Sequence, residues 1–576
     1  MFKNERGYTL FLVVFIVIMF GVLSTALLAL TTSGAQRNVV REDVTKATEL
    51  SEKGTNHIVQ KIQKELVDSI GPTGVTKDVY QANIATILQK YLCEGGSETI
   101  DAIQTEDGDY VTCVESYQDG QGNNDDLKKL VTLKSTGTVD NQEKEIKTTM
   151  ELGVSSVPEV LNYAVGTNIT SNNPRNGEGN LLLHGGVEIT GDLKVDGHLI
   201  THDKGTGAYN WLHSIRPRVK SLQVDTEPRL VLGENMYTLR RDPTTGNEWH
   251  HESYLQQDPL LSNNHTQQQN PEALFDQGYA PKLVEREAKE TDIDITGNRE
   301  AYYYDERSGG VSLKETNGTI RNQKYPLEKI YPYTKTCFFR CTSNYNSRIT
   351  LSGQTEFKQF ANKGRLIMRS GHHKFKEGLY AGNGITIGNN GQSPSENISI
   401  EGTMYVDGNV DIQGTNLKAN AMLFVDGDVE IRFSTIEGLQ TENGTGTLII
   451  FATGDIFIAN ISERQDAPSD INGYFYSEEF LELYGVGSNV RIKGGIAAKR
   501  VVLNAIRGIV RPGNISGRNY YVNQIGYYQS PTAQRNERSR LQVIYDPELI
   551  ENYLQLNPPE ELIKEIELPK YIDRED

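Results

Sequence analysis

The sequence predicts a long N-terminal α-helix with a small α+β head, followed by a mainly β region, a right-handed β-helix or solenoid that carries an insertion. Three observations lead there. An apolar run near the N-terminus continues as a one-sided stripe, alternating strands follow it, and glycine-punctuated strands repeat about every 19 residues further on. The 576 residues allow several domains of ordinary size. A formal net charge of −18 repels phosphate backbones, which argues against a nucleic-acid partner. Hydrophobic residues make up only 37%, with 54 Gly and 29 Tyr, which suits turns and half-exposed strands better than one large apolar core. Four cysteines cannot carry a disulfide scaffold, and Cys and His do not cluster in zinc spacing, so neither a metal nor a cofactor is expected.

The first element is the apolar run. Residues Tyr8 to Leu30 carry only Thr9, Ser24 and Thr25 as polar side chains, beyond the short charged start that holds Lys3, Glu5 and Arg6. About 20 apolar residues cross a hydrocarbon core of roughly 30 Å, so 8–30 reads as a transmembrane helix in contact with membrane lipid. A secretory signal peptide would have a shorter apolar region and a small-x-small cleavage site, which Leu27-Leu28-Ala29-Leu30-Thr31 does not offer. The apolar period continues through Val40, Val44, Ala47, Leu50, Gly54, Ile58, Ile62, Leu66 and Ile70 to the stop at Gly71-Pro72. One helix over 8–70 would be roughly 95 Å long at 1.5 Å per residue. Residues 31–71 are thus a stalk, and a juxtamembrane amphipathic helix or parallel coiled coil would show the same stripe.

The segment Lys3-Asn4-Glu5-Arg6-Gly7-Tyr8-Thr9-Leu10 resembles the type III signal of prepilins, and Ala47-Thr48-Glu49-Leu50-Ser51-Glu52-Lys53-Gly54 is similar to the stretch after the membrane helix in PilX-type minor pilins. The resemblance covers about residues 1–157. It implies a leader of residues 1–7, cut by a prepilin peptidase after Gly7, with Tyr8 as the methylated first mature residue. The fifth mature position, Glu in major pilins, is Leu12 here. That departure argues against a bulk fibre subunit and fits PilX-type minor pilins and K-type pseudopilins, which lack that glutamate. The partners so implied are the peptidase, other pilins or minor pilins along the N-terminal helix, and inner-membrane lipid. An ordinary signal-anchor with a chance glycine is the competing reading.

The head, residues 72–157, is expected to hold a short helix over Asp78–Leu92 and strands at Tyr110–Glu115, Leu130–Lys134 and a last alternating piece, Ile146, Thr148, Met150, Leu152 and Val154. Turn chemistry is expected over Ser135–Val139 and Asp140-Asn141-Gln142. Cys93 and Cys113 are candidate disulfide partners, as are Cys337 and Cys341, with four unpaired thiols as the alternative.

From Asn180 very short strands are separated by glycine. Residues 158–200 open the solenoid and 381–545 continue it. Tyr405–Ile412 and Phe424–Ile431 align without gaps, 19 residues apart, and Phe451–Ile458 and Arg491–Ala498 are looser copies. Each repeat alone buries too little apolar surface, and stacking pairs every strand edge with the next. The Asp-Gly steps read as corner turns rather than calcium ligands. Residues 201–380 are expected to be an insertion, partly loop, holding Trp211, Trp249, Tyr302-Tyr303-Tyr304 and the polar tract 256–270. Its aromatics suit a surface ligand, protein or glycan, or form the insertion's own small core. Residues 546–576 read as an acidic flexible tail with a short helix near 548–554.

No catalytic residues are assigned. The repeated Asp residues lie in turns, and neighbours His372 and His373 on a strand face opposite sides. The functional expectation is a pilus-assembly component, a single-pass membrane protein with an extracytoplasmic β-solenoid head for adhesion. The alternatives are a membrane-anchored surface protein or envelope scaffold unrelated to pili, and a polysaccharide-acting β-helix enzyme.

Overall fold

The computed structural model describes residues 6–71, 75–96, 108–119, 127–140, 142–154, 158–169, 177–207, 210–224, 226–239, 265–286, 293–302, 311–313, 317–322, 324–332, 334–337, 341–344, 348–362, 364–442, 444–459, 467–485, 488–508, 538–556, 563, 566 and 569–575. Expectations placed on Lys3, Trp249, Tyr303, Tyr304 and Pro558-Pro559 fall outside these residues. The chain divides into two units, Met1–Ser156 with Glu560–Asp576, and Val157–Pro559.

In the first unit, helix α1 runs unbroken over Arg6–Ile70. No proline interrupts it, and the hydroxyls of Thr25, Thr31, Thr45 and Thr48 donate back to carbonyls one turn earlier instead of competing with the helix. Its apolar side chains from Leu10 to Leu30 are exposed, and so are Val40 and Val44. The stripe is buried from Ala47 onward, through Leu50, Ile58, Ile62, Leu66 and Ile70. That stripe packs with α2 (Lys77–Lys90) and with the strands β1 (Asp109–Asp119), β2 (Lys128–Val139) and β3 (Gln142–Gly153). Closest approach comes at Gly54. A Cβ there would lie 2.3 Å from Thr112 Oγ1 and 2.6 Å from Ser135 Oγ. Ser51 ties helix to sheet, accepting from the Gly137 amide at 2.8 Å and donating to the Lys144 carbonyl at 2.6 Å.

The sheet is antiparallel in the order β1, β2, β3, then the strand Lys570–Glu575. Two expectations are corrected here. Ser135–Val139 is strand, because cross-strand pairing with Gln142–Ile146 extends to the tight turn, where Asp140 takes a left-handed φ of 50°. The C-terminal residues are not a flexible tail throughout. Lys570–Glu575 pairs with the edge of β3, whose N–H and C=O groups would otherwise lack partners. Val75 and Ile563 exchange two backbone hydrogen bonds, at 3.0 and 2.8 Å.

The second unit is large and mostly β, a ring of strands around one apolar core. Most strands pair in parallel with a strand about one repeat later. The 19-residue offset read from the sequence is the register itself: Tyr405 pairs with Phe424 and Val410 with Val429. Phe424 then pairs with Phe451, as the looser copy requires. Arg491–Ala498 is displaced, since Ala497, not Arg491, follows Tyr476 in that column.

The order of levels is unexpected. One buried column runs Ile349, Leu366, Ile385, Val410, Val429, Ile456, Leu481, Val501, Leu181, Leu199, Met236, each pairing with the next. The later run of the chain therefore comes first in the ladder and joins the earlier run at Val501 and Leu181. The unit begins and ends at this joint, with Val160 and Leu161 packed in one cluster with Leu549 and Tyr553. The predicted insertion is accordingly smaller than 201–380. Arg218–Lys220, Arg229–Leu232 and Met236–Leu239 pair with the preceding level, Arg348–Asn362, Arg365–Phe375 and Leu379–Ala381 continue the ladder the other way, and Asn317–Arg321 and Lys324–Pro332 stack beyond Arg348–Asn362.

Candidate anchoring helix and ladder surfaces

The N-terminal residues singled out by sequence lie on α1. Gly7 and Tyr8 fall in its first turns, and Leu12 is 47% exposed amid a helix surface apolar on all sides. A helix so long and so apolar, with its first half unburied, is a candidate membrane span or signal sequence.

Cys93 and Cys113 are joined as a disulfide, with Cα atoms 5.0 Å apart. The link closes a 20-residue separation between the end of α2 and β1, where Cys93 also donates its amide to the Val114 carbonyl at 2.9 Å. By loop entropy it contributes about 3 kcal/mol. Cys337 and Cys341 stand opposite each other across the short hairpin Thr334–Cys337 and Cys341–Asn344.

The Asp407 and Asp426 carboxylates of the Asp-Gly steps accept from the Tyr380 and Thr453 hydroxyls, and the side chains just after the turn glycines accept from backbone. Asn409 Oδ1 accepts from the Asp428 amide, Asp428 Oδ1 from the Asp455 amide, and Asp455 Oδ1 from the Phe480 amide, all within 3.0 to 3.1 Å. Each turn thus caps the one stacked on it, while Gly408 supplies a φ of 103° that a side chain would resist. Burial, with Asp428 and Glu479 nearby, holds the Asp455 carboxyl above the usual carboxylate range. Among the described residues no group of His, Cys, Asp and Glu has metal-binding geometry.

The two adjacent histidines divide as alternation requires. His373 is fully buried between Thr355 Oγ1, at 2.8 Å, and the Arg369 carbonyl, at 2.9 Å. Burial pushes its pKa down to about 4. His372 points outward and meets Glu401 at 2.6 Å, with Lys374 at 2.7 Å on the other carboxylate oxygen. The hydrogen bond from His372, with Lys374, outweighs burial and holds Glu401 at about 2.

The outward aromatics of the ladder are covered. Tyr380 stacks on Tyr405 with ring centres 6.1 Å apart, and Phe424 on Phe451 at 5.5 Å. Ile293, Ile295, Tyr302, Leu549 and Tyr553 close over this flank. Tyr302, a candidate recognition residue, is therefore core. The backbone of Trp211 lies on the strand Asn210–Ser214.

Sequence reading missed a buried charge cluster beside the joint. Lys194 Nζ lies 2.6 Å from Asp196 Oδ2, with both side chains buried, and Arg286 grips Glu159 through two bonds of 2.6 and 3.2 Å. Burial would raise Glu159, but Arg286 and Lys194 bring it below the ordinary range. Burial raises Asp196, while Tyr163, buried beside Glu159, is pushed up to about 12. In the pattern Leu193-Lys194-Val195-Asp196 the lysine takes an outward position and is nonetheless buried, and no local signal reveals that. A second charged group surrounds an open groove of about 760 Å3 lined by Asp203, Arg216, Glu272 and Asp276, where Asp276 is held 2.7 Å from Arg218 and 3.4 Å from the buried Arg507.

No family model matches the chain, and none of the curated proteins or solved structures matches it either.

Proposed function

We propose that the chain is a minor pilin or related pilus-assembly component of the PilX type its N-terminus resembles, exported and anchored by α1, with an extracytoplasmic head that is a right-handed β-solenoid presented to a surface or a partner. The observation that carries this reading is the single helix Arg6–Ile70. Its first half is exposed and apolar, and its second half buries one stripe against a disulfide-linked antiparallel sheet. A helix serving as both bilayer span and stalk needs that change of character within one unbroken element. The disulfide fits an oxidising compartment. The register of 19 to 27 residues between stacked strands supports the solenoid, since each level completes the edge of the one before. Leu12 in place of a glutamate suits a low-copy component better than a bulk subunit. The reading assigns the head a ligand, protein or glycan, and no reaction or cofactor.

The test is mass spectrometry of the mature N-terminus in cells with and without prepilin peptidase. The expected product begins at a methylated Tyr8 only when the peptidase is present. An intact leader in peptidase-positive cells removes the pilin assignment and leaves a membrane-anchored surface protein or envelope scaffold.

A further inference from the structure

Ile563, Ile566 and Lys570–Glu575 belong to the head by the contacts described for them, yet they follow the whole second unit in sequence. Ile563 bonds Val75, and Ile563 and Ile566 pack on the core shared by α1, α2 and the sheet. Lys570–Glu575 adds the fourth strand along Lys147–Glu151. Tyr571 Oη donates to Asn56 Oδ1 at 3.1 Å, and Arg574 meets Glu52 at 2.7 Å, so the strand also ties to the stalk. Tyr571 and Ile572 are nonetheless 57% and 51% exposed. Main-chain pairing holds this strand more than side-chain burial does, and such pairing is blind to which copy supplies it.

We propose that the β3 edge with Asn56, Glu52 and Val75 is a strand-acceptor site that takes Ile563 and the strand Lys570–Glu575 either from its own chain or from a second copy, giving a strand-exchanged dimer. Exchange preserves every contact named above, so the balance rests on local concentration. For the concentration term the inference rests on the anchored reading, since copies held in one membrane with one orientation meet at high effective concentration.

The test uses two full-length chains with different tags, produced together and purified in detergent. One carries Thr149→Cys and the other Asp573→Cys, which are register partners across the acceptor edge. Strand exchange moves both tags into one disulfide-linked dimer that reductant dissolves. The control pair is Glu115→Cys, on β1, with Asp573→Cys. A crosslink confined to single chains when Thr149→Cys and Asp573→Cys are placed on one chain, together with no more mixed dimer from the two single variants than from the control pair, overturns the proposal. Should Thr149→Cys unfold the head, Lys147→Cys with Glu575→Cys repeats the measurement on the same strand pair. Fractionation of the same cells keeps the two ideas apart: a chain in the soluble fraction refutes anchoring, while the crosslink in purified protein still judges exchange.

Discussion

Gly54→Ala tests how the stalk meets the head. In an exposed helix interior this change stabilises by about 1 kcal/mol, because alanine loses less backbone entropy. Here the added Cβ would lie 2.3 Å from Thr112 Oγ1, 2.6 Å from Ser135 Oγ and 2.8 Å from Tyr110 Cδ2, all well inside ordinary contact. Thr112 and Ser135 are buried and bonded to each other at 2.7 Å, so neither swings away without losing a partner. Overpacking costs about 1–3 kcal/mol and a broken buried hydrogen bond about 1 more, which outweighs the propensity gain. The net expectation is a loss of about 1–3 kcal/mol, confined to the first unit. Hydrogen exchange by mass spectrometry reads it locally: amides of β1 and β2 should exchange roughly 5- to 150-fold faster, while the second unit stays unchanged. Gly34→Ala is the matched control, because a Cβ there meets nothing within 4 Å. If Gly54→Ala protects the sheet as well as or better than Gly34→Ala does, the close helix–sheet contact is refuted.

Four further outcomes are expected. Replacing Cys93 and Cys113 by serine should cost the head about 3 kcal/mol, seen as faster exchange in α2 and β1 without change in the ladder. Buried His373 refuses a proton until about pH 4 while its unfolded form accepts one near 6.5, so its contribution is full above 6.5 and falls as pH drops to 4, by about 3 kcal/mol at most. Urea midpoints between these pH values should slope less in His373→Gln; an equal slope refutes the assignment. Glu401 behaves differently: its stabilisation is present above pH 4.5 and disappears as pH falls toward 2, so Glu401→Gln should flatten the acid limb of the same titration. Phe451→Ala opens the aromatic flank between Phe424, Tyr476 and Tyr553 and should lower stability of the second unit by about 3–5 kcal/mol in the same denaturation.

Local periodicity was legible wherever one neighbour decides the environment. The α1 stripe from Ala47, the alternation in β3 and the 19-residue offset between Tyr405 and Phe424 all follow from the spacing of apolar residues. The limits have physical causes. Pairing of Lys570–Glu575 with β3 depends on an edge more than 400 residues away, which an acidic composition near the C-terminus cannot reveal. Ser135–Val139 carries turn-prone residues but lies against Gln142–Ile146, and tertiary pairing overrides propensity there. Tyr302, on the short helix Arg299–Tyr302, and Lys194, at an outward strand position, are buried by contacts distant in sequence, which no local pattern predicts. Within the repeats, sequence similarity gives the step from one level to the next but not the order of the two runs.

That order explains how the larger unit can be inserted within the sequence of the smaller one. A ladder that began at one end and finished at the other would separate its termini by its full length, and it could not be inserted between β3 and Lys570–Glu575 without long connections. Starting at the joint removes the difficulty. The first run proceeds from Val165 to Glu285, the second stacks from Arg348 back to Tyr545, and the two meet where Val501 pairs with Leu181 and Val543 with Ile189. Val160 and Tyr553 then share one cluster, so the unit enters and leaves on the same flank. The joint has a consequence for folding. Levels within each run form from residues 17 to 53 apart, whereas the joint pairs residues more than 300 apart and adds about 2 kcal/mol of loop-closure cost. The joint should therefore form after both runs.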